Sequence, residues 1–342
     1  MRGRRLLFAL VAMLLLAIIA FVSVPRGVPG APGQPQQEAP VASEGCGNLT
    51  VYVLNVSQAD SIFIITPANK TILIDAGSKM KANSSSNVLA FLNRMNVTRI
   101  DYVVATHYHE DHIGGMDDIL ARFETGRIYE NGNCGNLSSE TAKRFHAYAL
   151  LKGSTVVRTT EDLPPDGCLS EAKLIFPYGM PGGCSMGNEN DNSVLLHIAY
   201  GNTSFLFTGD CDENCESAVM AQGASLKSDF LKAGHHGSST SSSIPFLDAV
   251  GARYFAISAD KDRSVKDGYF HPRETMLEKL YARSTGGTFR TDLNGNVKAV
   301  SDGNRLSVVP DAEQGECGIF SGYLSADAAS YSPIPALSGR CG

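Results

Sequence analysis

Residues 106–112 read Thr-His-Tyr-His-Glu-Asp-His (Thr106–His112, THYHEDH) and follow directly on the apolar run Asp101–Ala105, DYVVA. That run has the length and β-branched content of a buried strand. His107, His109, Asp111 and His112 therefore arrive within six residues at a strand end. Such a loop gathers nitrogen and oxygen donors in one small volume, which suits Zn²⁺, whose ligands of these types lie at ~2 Å. The alternation lets His107 and His109 take one ion while Asp111 and His112 take another. Gly114–Gly115 then lets the chain leave the crowded site by a tight turn. A lone histidine is more often a core or surface residue than a ligand; three with an aspartate at this spacing point to a metal site.

Working outward, two later fragments complete such a site. Phe207–Asp210 (FTGD) ends an apolar strand with an aspartate placed to bridge two ions, and Ala233–Ser239 (AGHHGSS) ends another with paired histidines. Taken singly each is an ordinary strand-to-turn junction. In the order H-x-H-x-D-H, G-D, H-H-G, each after a strand, they are specific. Strands are expected at Leu49–Val56, Ile62–Thr66, Thr71–Ile74 and Asp101–Ala105, then at Lys173–Phe176, Ser193–Ala199, Thr203–Thr208, Phe230–Ala233 and Tyr254–Ser258. Helices are expected at Asn87–Met95, Met116–Phe123, Ser138–Leu151 and near Arg273–Ala282, with a closing β-meander at Thr288–Val309. Strand clusters in both halves, each with helices, predict two packed sheets covered by helices. No internal repeat stands out.

On these motifs the chain resembles the metallo-β-lactamase superfamily and, within it, the extracellular hydrolase domain of ComEC-type competence proteins. The likeness runs from Leu49 to about Val309 and includes VLNVSQADS (Val53–Ser61), LIDAG (Leu73–Gly77), NDNSVLL (Asn190–Leu196), KAGHHGSSTS (Lys232–Ser241), FHP (Phe270–Pro272) and TDLNGNV (Thr291–Val297). It implies an α/β fold, a four-layer αββα sandwich with a dimetal site along one edge between the sheets. Carried over by position, His107 and His109 bind the first ion and Asp111, His112 and one of His235/His236 the second, with Asp210 bridging. His236 is favoured as ligand because it precedes Gly237, leaving His235 as a substrate-facing acid; the opposite assignment stays open. Many superfamily members supply a third histidine to the first ion just before the strand starting at Ser193. Here Asn188, Asn190 and Asn192 stand there, implying weaker binding or Mn²⁺ in place of Zn²⁺. The glycine pair of the competence family's V-G-Q-G-D segment is Ser57 and Ala59 here, a change expected to reshape the rim.

Metal-assisted hydrolysis of a phosphodiester, with DNA as one such substrate, is the leading expectation. Asp111 would orient the attacking water, His235 or His271 would protonate the leaving oxygen, and Asn192, Gly237 and Ser238 would contact substrate. The alternatives are ester, lactone or β-lactam hydrolysis within the same superfamily, and a surface binding domain that has lost its chemistry. His197, mid-strand in SVLLHIAY, and His146, on its helix, are expected to be structural.

The ends of the chain concern location. Leu6–Val24 is a run of nineteen uncharged, mostly apolar residues behind Arg2, Arg4 and Arg5, long enough to cross a bilayer with the remainder outside. Residues 1–24 are thus expected to be a membrane anchor, with a cleaved signal peptide as the alternative and a secreted product as its consequence. The Pro-, Gly- and Gln-rich stretch 25–45 is a linker, 46–310 the hydrolase domain, and 311–342 a loose tail. Eight cysteines, an even number, and seven N-x-S/T sites (Asn48, Asn55, Asn69, Asn83, Asn96, Asn136, Asn202) fit an exported, disulfide-bonded, glycosylated chain. Cys317–Cys341 is a guessed pair; metal binding by Cys211-x3-Cys215 is the lesser alternative, since no second pair matches it. A net charge of −6 excludes coating of nucleic acid by bulk charge but not a local basic groove.

Overall fold

In β1 (Leu49–Val53) the side chains alternate between two buried environments: Leu49, Val51 and Val53 enter one apolar layer and Tyr52 another. A strand covered on both faces carries no polar row, which is why this one reads as a nearly continuous apolar run. The computed structural model in which this is seen describes residues 45–311, except 133, 159–160, 179–183, 186 and 261–270. The expected helix at 1–24, the linker as far as residue 44, the tail beyond Asp311 and the Cys317–Cys341 pair lie outside the described residues. Among the described residues no helix is long and apolar enough to cross a membrane.

β1, β2 (Ile62–Ile65) and β3 (Thr71–Ile74) form an antiparallel meander. β4 (Arg99–Ala105), β5 (Glu124–Glu130) and β6 (Thr155–Val157) then add in parallel. Their crossovers carry α1 (Ser84–Arg94), α2 (Glu110–Ile113), α3 (Met116–Arg122) and α4 (Glu140–Leu151). The second sheet repeats the path. β7 (Glu171–Ile175), β8 (Leu195–Tyr200) and β9 (Thr203–Phe207) are antiparallel; β10 (Phe230–Lys232), β11 (Tyr254–Ile257) and β12 (Gly287–Arg290) are parallel. Helices α5 (Glu213–Ala221), α6 (Ile244–Val250), α7 (Glu274–Tyr281) and the short α8 (Thr291–Asn294) complete this half. β13 (Val297–Ser301) and β14 (Leu306–Pro310) return to β1, giving an eight-stranded sheet beside a six-stranded one. The shared path of the halves is a topological repeat invisible to sequence comparison, because it is written in strand direction and not in side chains.

Three apolar layers hold the arrangement. The central one joins the sheets through Val51, Ile64, Ile74 and Val104 on one side and Leu196, Ile198, Phe205 and Phe230 on the other. A second lies between the first sheet and α1, α3 and α4, through Phe91, Met116 and Phe145. The third lies between the second sheet and α5, α6 and α7, through Val219, Phe246 and Leu280. Each fully buried side chain of this size contributes about 1.5–3 kcal/mol. The expected two-sheet architecture is found, with β5, β6, α5 and α6 added. Glu124–Glu130 (ETGRIYE) buries only Ile128, Tyr129 and Glu130, too few apolar positions to announce a strand.

Among the described residues three disulfides join Cys46–Cys168, Cys134–Cys184 and Cys211–Cys215. The last is not a metal pair: it closes the first turn of α5 against the residue following Asp210. Cys46–Cys168 spans 122 residues, fastening the start of the first sheet to the β6–β7 connection. Replacing Cys168 with serine should lower unfolding stability by about 2–5 kcal/mol. A denaturant midpoint unchanged under oxidising conditions would contradict this. Three of the seven N-x-S/T asparagines, Asn69, Asn83 and Asn96, have φ of 54–60°, the left-handed conformation in which asparagine is enriched. Turn chemistry thus accounts for part of the excess of these tripeptides.

Candidate metal centre

Carboxyl ends of four strands converge on one edge of the molecule: β3 and β4 from the first sheet, β9 and β10 from the second. Open α/β sheets place their ligands beyond this end of their strands. β3 ends in Asp75, at φ 55°, and β4 runs into Thr106-His107. β9 ends in Thr208-Gly209-Asp210. Gly209 has φ 52°, and a Cβ there would lie 2.8 Å from the Thr106 Cβ, so only glycine lets the two sheets close here. After β10 the chain makes a left-handed turn through His235, His236 and Gly237 at φ 48°, 53° and 81°. Consecutive non-glycine residues in this conformation are costly and persist where the surroundings impose them. The turn sends His236 into the interior and His235 toward the rim.

His112 is fully buried between two carboxylates, with Nδ1 2.7 Å from Asp75 Oδ2 and Nε2 3.2 Å from Asp210 Oδ1. Asp75 is itself held by the Thr106 backbone N–H at 2.9 Å and hydroxyl at 2.7 Å. His236 Nε2 lies 3.6 Å from both Asp111 Oδ2 and Asp210 Oδ2. Among the described residues four overlapping sets follow, Asp111–His112–His236, His107–His112–Asp210, Asp60–Asp75–His112 and Asp60–Asp210–His236, each with ligand atoms within 4.8 Å of one another and able to hold a metal ion. His107 Nε2 and His109 Nδ1 are 3.0 Å apart. All six residues expected as ligands are thus brought to one edge, the second-ion group more tightly than the first. Glu110, between His109 and Asp111, turns away: it accepts hydrogen bonds from Ser78 Oγ and the Lys79 and Met80 N–H groups, pinning the loop after β3.

The donors fit cations. His112 Nε2, Asp210 Oδ1 and His236 Nε2 are buried and make no hydrogen bond, although they face one another. Asp60, Asp75, Asp111 and Asp210 gather about His112 and His236, and among the described residues the one buried ammonium, Lys232, pairs with Asp60. Such an excess of buried negative charge is tolerated only with positive charge brought in. The histidines register the same field. Burial opposes charge on His112, yet Asp210 and Asp75 hold its pKa well above the usual imidazole value. Burial would raise Asp210, but His112 and His236 bring it well below the usual carboxylate range. Burial and the nearby His112 push His107 well below its ordinary value.

Around this core the rim differs in detail from expectation. His235 Nδ1 lies 2.9 Å from Asp212 Oδ1 and its Nε2 3.8 Å from Asp210 Oδ2. Asp212 also accepts hydrogen bonds from Thr240 Oγ1 at 2.6 Å and Asn188 Nδ2 at 2.8 Å. His235 resists burial because that Asp212 bond, with Asp210, raises its pKa. His271 packs 5.3 Å from the His235 ring; burial and the neighbouring His235 and His236 lower it to about 4. Near neutral pH it is uncharged, so of the two foreseen proton donors the geometry and charge suit His235.

The three residues expected to contact substrate have partners of their own in the structure. Asn192 uses its amide on the Ser185 backbone and the Asn188 carbonyl; Asn190 instead reaches His235 at 3.3 Å and leaves its Oδ1 buried without a hydrogen bond. The Ser238 N–H closes on His235 O at 2.8 Å and its hydroxyl pairs with Thr240 at 3.0 Å. Gly237 acts by its size: a Cβ would lie 2.6 Å from the Pro272 Cβ. Ser57 takes φ 63°, so the chain makes a left-handed turn here without a glycine. His197 bonds Glu171 and His146 bonds Glu130, both outside the cluster.

Sequence reading gave no role to Asp60, Asp75, Asp212 or Lys232. The available signals were Asp75 after the apolar run TILI and Lys232 inside a buried strand, since an enclosed lysine implies a partner. Asp75→Asn should weaken Zn²⁺ binding about 10–100-fold in a chelator competition. Unchanged affinity would deny Asp75 its hold on His112.

The sequence model of the Metallo-beta-lactamase superfamily matches residues 54–258. ComE operon protein 3 of Bacillus subtilis (strain 168) is 26% identical over 272 residues, covering 75% of this chain and 33% of that protein. Competence protein ComA of Neisseria gonorrhoeae is 30% identical over 246 residues, covering 72% and 31%. The chain spans about a third of the length of the curated relatives it matches. Among solved structures, that of Tm1679, a metal-dependent hydrolase of the beta-lactamase superfamily, aligns with a TM-score of 0.46 at 12% identity, covering 71% of this chain and 95% of that one.

Proposed function

This chain belongs to the metallo-β-lactamase superfamily, and from that premise we propose that it is a dimetal hydrolase of phosphodiesters, held at the outer face of a membrane by its apolar N-terminal segment. The observation that carries the reading is the convergence of Asp111, His112, His236 and Asp210, with three of their buried ligand atoms lacking hydrogen bonds. These four would hold one cation; His107, His109 and Asp210 would hold the other, with fewer nitrogen ligands and a weaker grip. Zn²⁺ and Mn²⁺ both suit this mixed imidazole and carboxylate set. Divalent cations so bound neutralise charge on the attacked group and make a water molecule acidic enough to attack near neutral pH.

The chain's own groups do the remainder. Asp111 is half-buried at the rim, placed to orient the attacking water. As the new P–O bond forms and the old one breaks, His235 passes its Nε2 proton to the leaving oxygen. Asp212 accepts the Nδ1–H, orienting the ring and stabilising the doubly protonated imidazolium that carries the Nε2 proton. Asn190, beside His235, takes the substrate-contacting place expected of Asn192.

Phosphodiesters are favoured over lactams and lactones by the competence relatives, the HHGS turn and the asparagines in place of a third histidine. DNA is the polymeric substrate this reading favours, through few phosphate contacts: between Ser225 and Arg283 nine Lys and Arg stand against seven Asp and Glu. The disulfides fit an oxidising compartment. Purified full chain supplied with Zn²⁺ or Mn²⁺ should hydrolyse bis-p-nitrophenyl phosphate and shorten single-stranded DNA on a gel. Faster turnover of nitrocefin or a lactone than of any phosphodiester would overturn the substrate class.

A further inference from the structure

Lys232 is wholly enclosed, at 0% exposure, on β10, and its ammonium is 2.8 Å from Asp60 Oδ2, itself 1% exposed. Replacing a buried ion pair by apolar groups is often neutral or stabilising, so such a pair seldom exists for stability. Here it joins the two sheets, since Asp60 lies on the β1–β2 connection. That aspartate sits at a crossing of the site's loops. Its N–H donates to Asp111 O at 3.0 Å and its carbonyl accepts from the Gly77 N–H at 2.8 Å. Lys232 also donates to the Ala233 carbonyl at 3.0 Å, next to the turn that carries the paired histidines.

The second Asp60 oxygen is the informative atom. Oδ1 makes no hydrogen bond and lies 3.5 Å from His236 Nδ1, which makes none either, and both are buried. The arrangement parallels Asp75 and His112. In each case Nδ1 of a buried histidine faces a buried aspartate while Nε2 faces Asp210. Asp75 is steadied by Thr106; Asp60, in a region crowded with carboxylates, has the only buried ammonium in the cluster among the described residues.

We propose that Lys232 and Asp60 are positioning residues: their ion pair holds Asp60 so that Oδ1 orients the His236 ring with Nε2 toward Asp111 and Asp210. The proposal rests on the reading of His236 as a cation ligand. It gives the lysine of the KAGHHG segment a task that no contact with substrate would supply.

The test uses the full chain as Lys232→Met, Asp60→Asn, the double variant and His236→Ala, with Zn²⁺ affinity by chelator competition and thermal unfolding of the metal-free protein. Each single variant is expected to bind Zn²⁺ about 10–100-fold more weakly. The double variant restores charge balance, so its metal-free unfolding temperature should return to or exceed the wild-type value, while its Zn²⁺ affinity stays 10–100-fold low. A structural pair predicts the opposite: affinity recovering together with stability in the double variant overturns the proposal. If His236→Ala alone binds Zn²⁺ like the wild type, the ligand reading itself is wrong and the proposal falls with it; loss in His236→Ala with full affinity in the double variant refutes the positioning role only.

Discussion

Asp210→Ala is expected to abolish phosphodiester turnover, by at least about 10³-fold, while the chain still folds. Groups standing behind metal ligands are already worth about 10–100-fold, and Asp210 stands in front. It lies 3.2 Å from His112, 3.6 Å from His236 and 3.8 Å from His235, among the described residues the one carboxylate in reach of all three. Folding should survive because Asp210 belongs to none of the three apolar layers. Its removal also relieves repulsion among neighbouring carboxylates in the metal-free chain. Circular dichroism of the variant beside its rate on bis-p-nitrophenyl phosphate checks both halves. Residual activity within tenfold of wild type would remove Asp210 from the centre of the mechanism.

The paired histidines should separate just as sharply. His236→Ala should lose bound metal and with it all turnover, whatever the leaving group. His235→Ala should keep its metal and lose about 10²–10⁴ in kcat on alkyl phosphodiesters, the usual worth of a positioned proton donor. Its loss on p-nitrophenyl esters should be much smaller, because p-nitrophenolate departs without a proton. The basis is geometric: His236 is buried beside Asp111 and Asp210, whereas His235 stands at the rim on Asp212. Metal loss in His235→Ala with retention in His236→Ala would exchange the roles.

What the sequence announced and what it concealed divide along physical lines. THYHEDH, FTGD and AGHHGSS were legible because metal ligands are rare residue types at fixed spacing, each released at a strand end. The two sheets were legible because strands such as TILI and SFLF have no polar face. β5 was not, since its burial is confined to its last three residues. The repeated path of the halves was concealed because topology leaves no mark in composition. Asp60, Asp212 and Lys232 went unassigned because their meaning lies in distant partners, 172 positions away for Asp60 and Lys232 and 23 for Asp212 and His235. Asn190 and Asn192 read alike in the sequence, because proximity to a strand start says nothing about which amide reaches His235 and which braces its own loop.

The most direct measurement is the metal content of the full chain after equilibrium dialysis against Zn²⁺ or Mn²⁺. Two equivalents per chain in the wild type, with less than one in Asp210→Ala, is the predicted result. Less than one equivalent in the wild type with both metals, or two retained in Asp210→Ala, would contradict the convergence of these side chains on a pair of cations.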